Sequence, residues 1–189
     1  MKKILIDYNL KIRLPILLFV AVTSFAVTYF VTAPERTSVG YTPDQPIPYS
    51  HKLHAGLMGI DCKYCHTGVT VSRIAGIPAL STCMGCHAVA RKNKPDIIKL
   101  TATYEAGVAM PWKRVHKLPD FVYFNHSVHV NKGIPCQECH GQVEDMDVVS
   151  QVHNFTMAAC LDCHRNAPTR LSYIPGIKKA PDNCNTCHR

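Results

Sequence analysis

The chain has 189 residues, a formal charge of +8, 47% hydrophobic residues, ten Cys and eleven His. Residues 1–33 hold 22 of the 88 hydrophobic residues; with Cys set aside, Gly counted and Tyr dropped, the other 156 residues are about 38% apolar against ~45–50% in a globular domain. That excludes an ordinary self-filled core: the part after residue 33 either stays disordered or is filled by something other than side chains. Its positive charges are scattered, with no basic run interleaved with aromatics, which excludes nucleic acid as a partner.

Met1–Arg13 carries Lys2, Lys3, Lys11 and Arg13 against Asp7, and Leu14–Ala33 then runs twenty residues without a charge. At 1.5 Å per residue this run spans roughly 30 Å, the hydrocarbon thickness of a bilayer. The basic flank stays cytoplasmic, so residues 1–33 are expected to be a single-pass anchor in membrane lipid, with the rest of the chain on the extracytoplasmic face. Val31-Thr32-Ala33 would also suit a signal peptidase. The run, however, exceeds the ~7–15 residues of a signal h-region, which favours a retained anchor over a cleaved leader.

Residues 34–48, with prolines 34, 43, 46 and 48, read as a linker. The chain then repeats itself. Tyr49-Ser50-His51-Lys52-Leu53-His54 parallels Phe124-Asn125-His126-Ser127-Val128-His129, and each is followed by Gly-Ile and cysteine pairs, two in the first repeat and three in the second. This divides the remainder into a first half, 49–93, a connecting segment, 94–120, and a second half, 121–189. Between the halves, 94–109 is the best helix candidate, with Pro95 at its first position and Ile97, Ile98, Leu100 and Tyr104 near one face. Short helical turns are expected around the cysteine pairs, and 121–124 is the one weak strand candidate.

Every cysteine falls in the same motif: Cys62-Lys63-Tyr64-Cys65-His66, Cys83-Met84-Gly85-Cys86-His87, Cys136-Gln137-Glu138-Cys139-His140, Cys160-Leu161-Asp162-Cys163-His164 and Cys184-Asn185-Thr186-Cys187-His188. C-x-x-C-H is the attachment signature of c-type haem. Two intervening residues bring both sulfurs to one side of a helical turn, where they bond the porphyrin's two vinyl groups, and the following imidazole takes the iron. Zinc ribbons and thioredoxin-like sites use C-x-x-C but have no need of His after each second Cys. With His at 11 of 189 positions, five such placements by chance come to about one in a million. Five covalent haem c groups are therefore expected, about one per 31 residues, and they supply the missing core. Their ten propionates offset the +5 (17 Lys/Arg less 12 Asp/Glu) of the exported part.

His66, His87, His140, His164 and His188 are the proximal ligands in this reading. Six histidines remain for five irons: His51, His54, His116, His126, His129 and His153. Each half opens with H-x-x-H. The second half has one additional haem motif and one additional histidine, His153, so the extra ligand and the extra haem arrive together. His116 is left over, with hydrogen bonding to a propionate or simple exposure as its expected role and iron ligation as the alternative. With every iron six-coordinate, the haems would exchange electrons and bind no substrate.

Residues 123–188 resemble a trihaem cytochrome c7 module: an aromatic residue, then x-H-x-x-H, then three C-x-x-C-H motifs with one His between the first two. The resemblance implies a fold of short helices and loops around stacked haems. It pairs His126 with His140, His129 with His164 and His153 with His188; for the shorter first half, it pairs His51 with His66 and His54 with His87. The whole chain also resembles the pentahaem cytochrome c subunit of alternative complex III, on its anchor, its two-plus-three haem arrangement and the join Pro111-Trp112-Lys113-Arg114-Val115-His116-Lys117-Leu118-Pro119-Asp120-Phe121. That resemblance implies a respiratory electron relay, not an enzyme in itself. Its partners would be iron–sulfur and quinol-binding subunits, a monohaem cytochrome c and a terminal oxidase. The alternatives are an electron-transfer subunit of another periplasmic oxidoreductase and a small membrane quinol dehydrogenase, although the Met that the latter cytochromes carry just after a C-x-x-C-H is missing here.

Overall fold

The computed structural model describes residues 7–31 and 39–188. Lys2 and Lys3, and the end of the apolar run at Thr32 and Ala33, lie outside these. The chain divides into two units, Met1–Thr37 and Ser38–Arg189.

In the first unit a wide helical turn, Asn9–Arg13, runs into the helix Leu14–Val31, which carries no acidic or basic residue in its first or last turn. Together they make 23 residues, long and apolar enough to cross a membrane. The helix is hydrophobic all round, as a helix solvated by lipid must be. The hydroxyl of Thr23 donates to the Phe19 carbonyl at 2.8 Å, so even this polar group is satisfied within the helix.

The second unit is a set of short helices and turns joined by loops; the described residues contain no β-strand. The repeated cysteine pairs account for this. Each pair sits on a helical turn, at Cys62–Cys65, Leu80–His87, Gln137–His140 (which Cys136 precedes), Met157–Arg170 and Cys184–Cys187. Three of these turns are capped by side chains that accept a backbone N–H: Asp61 from Lys63, Thr156 from Ala159 and Asn183 from Thr186. Caps let turns this short persist where propensity alone would not hold them.

The helix between the halves spans Pro95–Glu105, with Pro95 in its first turn as the sequence predicts. It ends four residues earlier than expected, because Gly107 takes a φ of 66° and stops it in the left-handed conformation. Leu100 is its buried residue, while Ile98 and Tyr104 are exposed. Leu100 joins Ile47 and Met110 in a small cluster against which Leu80, Cys83, Met84, Ile97 and Trp112 pack. Ile47 belongs to the stretch read as a linker. From Gly40 onward that stretch is bonded into the second unit: Gly40 N–H donates to Gln151, Gln151 N–H donates to Tyr41, and Gln45 both donates to and accepts from the Lys113 backbone.

Residues 121–124 are not a strand. Tyr123 N–H donates to the Cys187 carbonyl at 2.8 Å, so this stretch covers the last cysteine pair instead of pairing with another extended segment. Pro168 lies inside the helix Met157–Arg170. It has no N–H for the carbonyl of His164 four residues back, and that carbonyl instead accepts Ala180 N–H at 2.9 Å. One proline thus ties the fourth C-x-x-C-H to the chain leading to the fifth.

Protein side chains alone make a thin core. Ile47, Val69, Leu100, Met110, Ala167 and Leu171 are the buried apolar residues among those described, and Leu171 is the most enclosed at 1% exposure. Leu171→Ala is expected to destabilise the loaded protein by about 3 kcal/mol, within the range for large-to-small core changes. Denaturant unfolding followed by haem absorbance measures it.

Candidate metal centres

None of the ten cysteines is joined in a disulfide. Burial pushes several of them up, Cys139 to about 11 with help from Cys163, Glu138 and Cys160. Zinc ribbons would have no need of a His after each second Cys. Nor do any three His, Cys, Asp or Glu side chains among the described residues converge as a cage for an ion. The i, i+3 spacing on helical turns instead aligns both sulfurs of a pair along one face.

Six of the histidines come in pairs whose ring planes range from near parallel (6°) to steeply inclined (61°). Ring centroids are 6.2 Å apart for His54 and His87, 6.4 Å for His126 and His140, and 6.1 Å for His129 and His164. Two imidazoles on opposite sides of one metal, each bonded at about 2 Å, place their centroids about 6 Å apart. The His126 and His140 planes are within 6° of parallel. Each pair joins one H-x-x-H histidine to one C-x-x-C-H histidine, and these are three of the five pairings expected from the sequence.

Backbone carbonyls decide which ring nitrogen is left for a metal. Nδ1–H donates to a carbonyl in His54 (Ser50, 2.8 Å), His66 (Gly76, 2.8 Å), His87 (Ala90, 3.2 Å) and His126 (Arg73, 2.9 Å). It does so too in His129 (Asn125, 2.7 Å), His164 (Pro181, 2.6 Å) and His188 (Phe121, 3.1 Å). A carbonyl can only accept, so Nδ1 carries the proton and Nε2 keeps its lone pair. This is how metal-bound histidines are oriented and made more basic. Burial acts in the same direction: it lowers His140 to about 4, with His116, His126, His66 and His153 adding to the effect, and lowers His51 to about 4, with help from His66 and His54. Both rings are neutral at pH 7, as coordination requires.

The aromatic residue before each H-x-x-H orders it. Tyr49 stacks on His54 (4.4 Å, 22°) and meets His51 edge-on (4.8 Å, 85°). Phe124 does the same to His129 (4.5 Å, 27°) and His126 (4.8 Å, 87°).

The other two expected pairings are not drawn together in this way: among the described residues, no ring contact joins His51 to His66 or His153 to His188. His153 is exposed. Its backbone is held by buried Gln151, whose side-chain amide donates to the His153 carbonyl at 3.0 Å. His116 is half-buried. Its ring lies 4.4 Å from His140 at 90° and 5.9 Å from Phe155. His116 Nε2 is buried with no protein partner, as is His51 Nδ1. Nothing in the sequence marked the carbonyls of Gly76, Ala90, Arg73, Pro181 and Phe121 as orienting groups, because any residue type offers one.

Paired cysteines on helical turns and facing imidazoles with free Nε2 atoms fit covalent haem held from both sides. Residues 122–189 match the family described as cytochrome c7 and related cytochrome c. The fold is that of a cytochrome c7-like multihaem cytochrome. The chain is also similar to the multihaem cytochrome c subunit of menaquinone reductase from Nitratidesulfovibrio vulgaris, 27% identical over 167 residues, covering 77% of each chain. A second relative is the acrylate reductase cytochrome subunit of Shewanella woodyi, 26% identical over 111 residues, 59% of this chain and 68% of that one. A cytochrome of this kind carries electrons and is not an enzyme by itself. Haem iron supplies the one-electron exchange, and the protein's histidines and burial set its potential.

Proposed function

We propose that the chain is a membrane-anchored five-haem relay within a quinone-linked respiratory complex, with its haem-bearing unit on the extracytoplasmic face. The observation that carries this is the set of three imidazole pairs with centroids about 6 Å apart, five of whose six rings have Nδ1 tied to a backbone carbonyl. Six-coordinate iron has no position for a substrate, so such centres pass electrons and do no other chemistry. The proposed ligand pairs are His51–His66, His54–His87, His126–His140, His129–His164 and His153–His188, with Cys62, Cys65, Cys83, Cys86, Cys136, Cys139, Cys160, Cys163, Cys184 and Cys187 as attachment points.

Both relatives are named as cytochrome subunits of reductases, and one of these reductases acts on menaquinone, which supports a quinone-reactive neighbour. The finer reading is an assembly of the alternative complex III type. There an iron–sulfur and quinol-oxidising module feeds this subunit, and a monohaem cytochrome c or terminal oxidase drains it. Its support is in the sequence: the anchor, the two-plus-three repeat and the join from Pro111 to Phe121. The menaquinone reductase relative favours a second reading with the opposite direction of flow. Purifying the detergent-solubilised complex, identifying its subunits and testing whether a quinol reduces the haems separates the two.

Intact mass of the membrane-extracted protein is expected to show residues 1–33 retained and five haem groups that survive acid-acetone extraction. A mass beginning at Pro34 would show a cleaved leader, and loss of colour to the solvent would sink covalent attachment.

A further inference from the structure

The two halves touch in a crossed manner. The turn His126–Val130 of the second half sits on the turn Thr67–Thr70 and the residues after it, just behind the first C-x-x-C-H. His126 gives both its backbone N–H (3.2 Å) and its Nδ1–H (2.9 Å) to the Arg73 carbonyl; Ser127 N–H donates to Ser72 (3.1 Å), and the Asn131 amide donates to Thr70 (2.9 Å). The reverse contact uses the same parts. The turn Lys52–Leu57 of the first half sits on Val143–Asp145 and the residues after it, behind the third C-x-x-C-H. There Lys52 N–H donates to Met146 (2.9 Å), and the Ser50 hydroxyl donates to the Asp147 carboxylate (2.8 Å). Gly56 runs so close to the Glu144 carbonyl that a Cβ would collide with it. Lys52–Met146 corresponds to Ser127–Ser72: each acceptor lies six residues beyond its motif's histidine. At the centre of this exchange burial pushes the Cys62 thiol up, and Cys136 lies close enough to add to the effect.

Resting on the ligand pairs proposed above, we infer that the haem on Cys62 and Cys65 and the haem on Cys136 and Cys139 are neighbours at a pseudo-twofold junction. Electrons then cross between the halves there, out of chain order. The remaining order follows from shared elements. His51 and His54 lie three residues apart beside one turn, so the second haem adjoins the first. His126 and His129 stand on one turn, so the fourth adjoins the third. The fifth joins them through His164, whose carbonyl and Nδ1–H bond Ala180 and Pro181, and through the Tyr123–Cys187 bond. The route is second, first, third, then the fourth and fifth. The haem on Cys83 and Cys86 is therefore a terminal port, although it is attached between two others in the chain.

Iron positions in crystals of the loaded protein, located by anomalous scattering, test the order. The shortest iron–iron distance between halves is expected between the irons bound by His66 and His140. A shortest pair involving the iron of His87 or of His188 overturns the inference. Fewer than five irons, or five-coordinate ones, would instead count against the relay itself. Gly56→Ala tests the crossed seating separately. The added methyl should push Lys52–Leu57 off its seat and make amide hydrogen exchange several-fold faster at 143–147, with 157–170 unchanged. Unchanged exchange at 143–147 means that the turns are not seated on each other.

Discussion

His126→Ala is expected to convert about one haem in five to high spin and to raise that centre's potential. His126 and His140 face each other at 6.4 Å, with planes 6° apart. His126 is locked in place by two bonds to one carbonyl and by the edge of Phe124. Among the described residues the other rings beside His140 are that of His116, at 4.4 Å too close for an iron between the two, and that of Phe155, which has no ligand atom. Removing His126 takes away a strong nitrogen donor, which favours the reduced iron. At the junction between halves, a centre of raised potential holds its electron and slows transfer from one half to the other. His126→Met should keep the iron six-coordinate while still raising the potential, which separates loss of a ligand from loss of fold. Electron paramagnetic resonance and a redox titration read both effects, and five low-spin haems in His126→Ala would show the pairing to be wrong.

Much of this site is legible in the sequence because its chemistry is local. C-x-x-C-H needs one helical turn, and H-x-x-H puts two imidazoles beside one short turn behind an aromatic residue that stacks on the second. The geometry around Tyr49 and that around Phe124 agree within about 0.1 Å and 5°. The short supply of apolar residues after position 33 likewise reads directly as the thin core. What could not be read runs through the backbone. The Arg73, Ser72, Met146 and Glu144 carbonyls that join the halves carry no side-chain signature, and Gly56 marks a close approach only once its neighbour is known. The early end of the Pro95–Glu105 helix is marked in the sequence by Gly107, which the candidate 94–109 runs past although its apolar face stops at Tyr104. Residues 121–124 look strand-like by composition, yet their neighbour is the last cysteine pair, far away in sequence.

His153 and His116 compete for the last iron, and paired substitutions decide between them. His153→Ala is expected to give high-spin signal from about one haem in five, confined to the centre on Cys184 and Cys187, with a raised potential there. The repeat is the reason: the first half lacks both a third C-x-x-C-H motif and a histidine between its two motifs, and the second half has both. His153 is exposed, but its backbone is placed by buried Gln151, whose own N–H is held by Tyr41. Gln151→Ala should therefore weaken the same centre without removing a ligand. His116→Ala is expected to leave all five haems low-spin. Its ring stands at 90° against His140 and reads as a wall that fixes the plane of that proximal ligand. Losing the wall should shift the potential of the His140 centre and cost at most about 1 kcal/mol of stability, the scale of one aromatic pair. The partnerless Nε2 of His116 makes the opposite result equally readable. If His116→Ala produces the high-spin haem and His153→Ala does not, the join between the halves supplies the last ligand. The second half would then be a trihaem module completed by a histidine from outside its own repeat.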